Sequence, residues 1–222
     1  LGCQQDDAKA HRYFQAAMQM FREKEPTERK KGYMQYRIGK LYALGWGVKQ
    51  DYEEAAGWFQ SAVHGERNAP AAYALANQYL RGQGVQRSEE QAYQLFKIAA
   101  DSPAGNPFAS YELWRMNQKG IGTPVDPAEA QRRAKQAVQG FEKSVDDSPD
   151  DRIFYRLGTM YESGTGTEKD IDTARRYYEK SAALKNGDAM CALGKLYLQK
   201  EYSFYNPTTA ISYLEQAIDA GN

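Results

Sequence analysis

The side chains able to do chemistry are few and scattered. The two histidines, His11 and His64, lie far apart in the chain, and neither has a partner at metal-ligand spacing. Cys3 and Cys191 are too few to build a disulfide framework. Gly-x-Gly occurs at 45–47, 82–84, 120–122 and 164–166, and such glycines can cradle phosphate. Here no Gly-Lys-Ser/Thr follows and no strand pattern precedes, so the phosphate reading fails. Glu53-Glu54 and Glu89-Glu90 could form acid/base pairs, but each falls where a helix begins, and negative charge suits that end of the dipole. Arg132-Arg133 and Arg175-Arg176 read as solvated helix faces. No set of catalytic residues, metal ligands or cofactor contacts emerges, and the chain is expected not to be an enzyme.

The glycines recur because the whole chain recurs. One segment runs Tyr36-Arg37-Ile38-Gly39-Lys40-Leu41-Tyr42, then Gly45-Trp46-Gly47-Val48, then Asp51, Ala55, Trp58 and Ala62. The same offsets return at Leu75, Tyr79, Gly82, Gly84, Ser88 and Ala92, and at Leu113, Asn117, Gly120, Gly122, Asp126 and Ala130. They return again at Leu157, Gly158, Tyr161, Gly164, Gly166, Asp170 and Ala174, and at Leu193, Gly194, Tyr197, Asn206 and Ala210. In each unit the Leu or Ile and the Tyr four residues later share one helix face. The Gly beside the Leu has no Cβ and admits a second helix closely. Gly-x-Gly then stops the first helix. The Asp, Ser or Asn that follows is a preferred N-cap for the second. A single helix pair cannot bury its own apolar stripe, but stacked pairs can.

The pattern A-x-x-x-L-G-x-x-Y-x-x-G-x-G-V-x-x-D-x-x-x-A-x-x-W resembles the Sel1-like repeat, a relative of the tetratricopeptide repeat, from about residue 33 to the end. The resemblance implies an all-α fold: a right-handed α-solenoid of about five helix-turn-helix repeats, at about 28–67, 68–104, 106–148, 149–185 and 187–222. The expected domain is a single solenoid over 7–222, after a linker at 1–6. An extra helix at 7–24, where Ala10, Tyr13 and Ala17 keep the second-helix spacing, is expected to cap the first repeat. Three departures stand out. The third repeat has Trp114 and Asn117 in place of Gly and Tyr. Its second helix overruns into 140–149, as a longer helix or a loop. The fifth turn is Lys200-Glu201-Tyr202-Ser203-Phe204-Tyr205, with two or three of its aromatics expected at the surface.

Lys plus Arg equals Asp plus Glu, 29 each, so nucleic acid, which demands many cations, is not the expected partner. The 17 tyrosines mark a chain that folds. Cys191 sits in an apolar helical pattern and reads as a buried, inert thiol. The start Leu1-Gly2-Cys3, followed by Gln4, resembles the end of a bacterial lipoprotein signal peptide. That resemblance implies lipidation of Cys3, contact with the membrane only through this anchor, and a periplasmic location tethered to the outer membrane. Without it, a cytoplasmic location is expected.

In the family the first helices line the concave face. Positions two before, one before and two after the Leu or Ile project away from the second helix. They give the candidate partner-binding residues Tyr36, Tyr73, Tyr111 and Tyr155, then Arg37 and Arg156, then Lys40, Asn77, Arg115 and Lys195. The tyrosines could form a recognition ladder, and the cations suit an acidic protein surface. By resemblance to Sel1-repeat lipoproteins, the expected function is non-catalytic protein–protein interaction in the cell envelope. The role would be a scaffold or adaptor, or an immunity protein that binds and inhibits a toxin, including a type VI secretion lipase effector. Family members associated with penicillin hydrolysis carry a Cys pair in each repeat, which this chain lacks.

Overall fold

The structure is a computed structural model that describes residues 7–25, 31–145 and 149–221. Among the described residues it holds eleven helices and no strand: α1 (Asp7–Lys24), α2 (Lys31–Leu44), α3 (Tyr52–Glu66), α4 (Ala69–Arg81), α5 (Glu89–Ala100), α6 (Pro107–Lys119), α7 (Pro127–Val145), α8 (Asp151–Ser163), α9 (Ile171–Ala183), α10 (Gly187–Tyr197) and α11 (Pro207–Asp219). The all-helical solenoid class read from the repeats is the class observed. From α2 onward the helices pair as first and second members of five repeats. Cys3 lies outside the described residues.

Each second helix begins where its cap residue stands. Asp51 Oδ1 accepts from the backbone N–H of Glu53 and Glu54 at 3.0 Å, Ser88 from Gln91, Asp126 from Glu129, Asp170 from Thr173 and Asn206 from Thr209. The first helices are capped by Asn68, Asn106, Asp150 and Asn186 in the same way, a signal that the reading of the repeats passed over. One hydrogen bond closes all five turns. The cap residue's N–H donates to the carbonyl at the Tyr position: Asp51 to Tyr42, Ser88 to Tyr79, Asp126 to Asn117, Asp170 to Tyr161 and Asn206 to Tyr197, at 2.9–3.1 Å.

Two kinds of glycine set how closely elements approach. Gly39, Gly158 and Gly194 lie against the second helix of their own repeat. A Cβ there would come within 2.5–2.7 Å of Phe59, Tyr178 or Leu214. The last glycine of each Gly-x-Gly does more than stop a helix. Gly47, Gly84, Gly122 and Gly166 press on the backbone of the preceding second helix, at Phe14–Gln15, Tyr52–Glu53, Glu89–Glu90 and Ala134–Lys135. All four hold a left-handed φ of 65° to 74°, so glycine is required on both grounds. Gly47 uses α1 as its neighbours use true second helices. The cap helix therefore stands in for a second helix, and the Phe14 ring stacks on Trp46 at 4.8 Å.

The chain divides into two compact units, Leu1–Ala130 and Gln131–Asn222. The first has a core of Phe59, Leu75, Phe96, Leu113 and Met116 from α3 to α6, with Met18, Phe21, Ile38 and Leu41 joining α1 to α2. The second is built on Leu157, Tyr178, Met190, Leu193, Leu196 and Ala217. Each fully buried side chain of this size contributes about 1.5–3 kcal/mol, so stability accrues repeat by repeat.

The departures from the repeat have physical causes, and several other expectations need correction. Asn117 is buried, takes the Tyr93 hydroxyl hydrogen bond at 3.1 Å and donates to the Leu113 carbonyl, which fills the missing Tyr's place with a polar link to α5. α7 does overrun, to 19 residues. Arg133 is only 1% exposed and donates to Gln136, while Arg132 is exposed. Neighbouring residues point about 100° apart on a helix, so one member of such a pair can turn inward. Arg175 likewise faces in, bonded to Glu179 at 2.7 Å, with Arg176 outside. Phe204 is half-buried against Tyr197 and Tyr202 against Phe204, with ring centroids 5.5 and 5.3 Å apart, and of the three aromatics in that turn only Tyr205 is exposed. Cys191 is half-buried rather than enclosed.

Candidate partner-binding face

The tyrosine column does not project away from the second helices. Tyr36 packs on Phe59 at 6.0 Å, Tyr73 on Phe96 at 5.6 Å and Tyr155 on Tyr178 at 5.8 Å. Tyr73 also meets Phe108 of the next first helix, and Tyr111 meets Trp114 edge-on at 5.0 Å. All four are half-buried, and burial pushes the Tyr36 hydroxyl above its ordinary value. At Tyr36, Tyr73 and Tyr155 the second helix offers an aromatic partner that draws the ring inward, whereas Tyr111 finds its ring partner on α6 itself.

The cationic columns separate into two groups. Arg115 is satisfied within α6, donating from Nε and Nη2 to Glu112 at 3.0 and 2.8 Å. Arg156 is half-buried on α8, and Asn77 turns its amide back to the Tyr73 carbonyl. Arg37 and Lys40 are exposed on α2, and Lys195 is exposed on α10 in the second unit. The Arg37 guanidinium lies over the rings of Phe21, at 5.4 Å, and Tyr33, at 5.9 Å. A cation held by rings keeps its charge available to a partner.

Tyr33, Arg37, Lys40 and Leu44 are all exposed and stand at i, i+4, i+7 and i+11, one stripe along α2. The same offsets end at Arg81 on α4 and Lys119 on α6, both exposed. These two were missed because the projection stopped two residues past the Leu, one step short of the next position on that face. In the first unit the stripe positions of α2, α4 and α6 hold Arg37, Lys40, Arg81, Arg115 and Lys119 against a single carboxylate, Glu112. Among the described residues Arg37, Lys40, Arg81 and Lys119 make no ion pair. The arrangement offers fixed positive charge flanked by Tyr33 and Leu44, and can complement an acidic surface.

Among the described residues no group of three or more His, Cys, Asp or Glu side chains could hold a metal ion, and no helix is long and apolar enough to cross a membrane.

Comparison with known proteins places this geometry. The Sel1 repeat model matches residues 1–19, 32–64, 69–102, 108–132, 155–186 and 187–222. The first matched segment overlaps α1, in keeping with its use as a second helix. Among solved structures, a Sel1 repeat protein from Oxalobacter formigenes is 27% identical with a TM-score of 0.65, over 97% of this chain and 83% of that one. A protective antigen of uropathogenic Escherichia coli displaying an SLR fold is 26% identical with a TM-score of 0.66, over 94% of this chain and 42% of that one. Activator of C kinase protein 1 of Saccharomyces cerevisiae is 32% identical over 111 residues, which are 49% of this chain. The chain spans 17% of that yeast protein's length. Six matched segments cover most of the sequence, and the chain belongs to the Sel1 repeat family.

Proposed function

We propose that this chain is a non-catalytic adaptor that holds an acidic protein surface against the first helices of residues 1–130. Sel1 repeats are protein-interaction scaffolds, and that much belongs to the family. The observation that carries the finer reading is the set of four exposed cations, Arg37, Lys40, Arg81 and Lys119, none ion-paired among the described residues. Surface cations are usually interspersed with carboxylates; here only Glu112 shares their stripe positions, and it is already bound to Arg115.

The test is capture of partners from an extract of the native source, with wild type beside a variant carrying Arg37→Glu, Lys40→Glu, Arg81→Glu and Lys119→Glu. An acidic partner should be lost by the variant and weakened by salt. Equal capture by both chains would move the site elsewhere. Affinity separates the two envelope roles. A scaffold binds several partners at micromolar strength, whereas an immunity protein binds one toxin at about nanomolar Kd or tighter. The envelope location rests on Leu1-Gly2-Cys3. Palmitate labelling of the full-length protein, abolished by Cys3→Ala, is the outcome this location requires.

A further inference from the structure

α3 and α5 both pack on α4, and a groove of about 400 Å³ runs between them on the side of the second helices. Its floor is formed by the buried Val63, Leu75 and Leu95, with the half-buried Ile98 and Tyr79 beside them. The amides of Gln60, Gln91 and Gln94 stand along it, and among the described residues none of those three side chains makes a hydrogen bond. At Arg67 the groove opens into a second cleft of about 580 Å³, which also has Gln94 and Ile98 in its wall.

Arg67 stands at the junction of the two. Its backbone is left-handed, φ 48° and ψ 42°, where a side chain is strained and glycine is not. The next repeat has Gly105, at φ 67°, in the corresponding place before its Asn cap. Lys185 takes the same conformation before Asn186, so strain alone does not distinguish Arg67; its position in the cleft does. Among the described residues its guanidinium has no ion pair and no hydrogen bond. The apolar groove has no carboxylate in its lining, and among the described residues Glu66 and Asp101, which line the adjoining cleft, make no ion pair with Arg67.

We propose that this groove is a second binding site, separate from the first-helix face, that takes an extended peptide segment of a partner protein with an apolar residue beside an acidic one. The apolar side chain sits over Val63, Leu75, Leu95 and Ile98. The glutamine amides, each both donor and acceptor, bond the main chain of a strand that has no hydrogen bonds of its own. The carboxylate pairs with the Arg67 fork, a geometry suited to bidentate contact.

The test is selection of a displayed random heptapeptide library on the purified chain, followed by fluorescence anisotropy with the enriched peptides. The expected peptides share an apolar residue next to Asp or Glu. Arg67→Gly should weaken them by at least about tenfold, with a Tm at or above wild type because the backbone strain is relieved. Gln94→Glu, a surface change, should weaken them by charge repulsion. Replacing the peptide's acid by its amide should remove the difference between wild type and Arg67→Gly. Charge reversal at Arg37 and Lys40 should leave peptide affinity unchanged, which keeps this site distinct from the first-helix face. Enriched peptides without an acid, equal binding to Arg67→Gly, or no enrichment over an Ile98→Glu chain would each overturn the proposal.

Discussion

A Cβ on Gly84 would lie 2.1 Å from the Tyr52 carbonyl carbon, and one on Gly166 would lie 2.4 Å from that of Ala134. Both contacts are backbone on backbone, so no flexible side chain can yield. Gly84→Ala is expected to destabilise the chain by about 3 kcal/mol, from the left-handed φ and the clash together. Gly57, inside α3 with nothing within 4 Å of a Cβ, is the control. Gly57→Ala should stabilise by up to about 1 kcal/mol. Urea unfolding of the two variants checks both signs. A titration supplies a second expectation. Burial, then the hydrogen bond to the Glu142 carboxylate, pushes the Tyr161 hydroxyl up to about 12. In the unfolded chain tyrosine loses its proton near pH 10. The native state thus holds the proton more tightly, so this stabilisation is complete below pH 10 and is lost as pH rises toward 12. Urea midpoints from pH 9 to 11.5 should fall more steeply for wild type than for Tyr161→Phe, and parallel slopes would remove Tyr161 from the alkaline transition.

At the scale of elements, the fifth turn shows how one function is kept by different chemistry. It lacks Gly-x-Gly, yet Asn206 N–H still closes on the Tyr197 carbonyl at 2.9 Å. Phe204 packs on Tyr197 and Tyr202, under the Arg175 guanidinium at 5.0 Å, and Glu179 holds that arginine. Phe204→Ala should cost about 2 kcal/mol for a half-buried ring. A double-mutant cycle with Arg175→Ala should show a coupling of about 0.5–1 kcal/mol; no coupling would mean that the ring packs independently of the charge. The helices and the caps of the second helices were legible because each depends on residues near in sequence: Asp51 three residues before Glu54, Leu four before Tyr. What the sequence hid depends on a partner distant in the chain. Phe59 draws Tyr36 inward, Tyr93 meets Asn117, and Tyr52 receives Gly84 from the next repeat. The tyrosine ladder was misdirected for that reason, whereas Arg37 and Lys40, exposed on α2, stand where the helical period placed them. Arg81 and Lys119 were open to the same period one step further on.

For the whole molecule, the charges sum to zero, but the first-helix stripe of residues 1–130 does not. Neutrality overall keeps long-range attraction weak, so a local cluster selects its partner by contact rather than by steering from afar. The most direct measurement is hydroxyl-radical footprinting of the chain with and without its captured partner, read by mass spectrometry. Tyr33 and Leu44, which flank Arg37 and Lys40 and are 49% and 42% exposed, should be protected in the complex. Ile211 and Ile218, exposed on α11, should react at unchanged rates. Protection at Ile211 and Ile218, with Tyr33 and Leu44 as reactive as in the free chain, would contradict binding through the first helices.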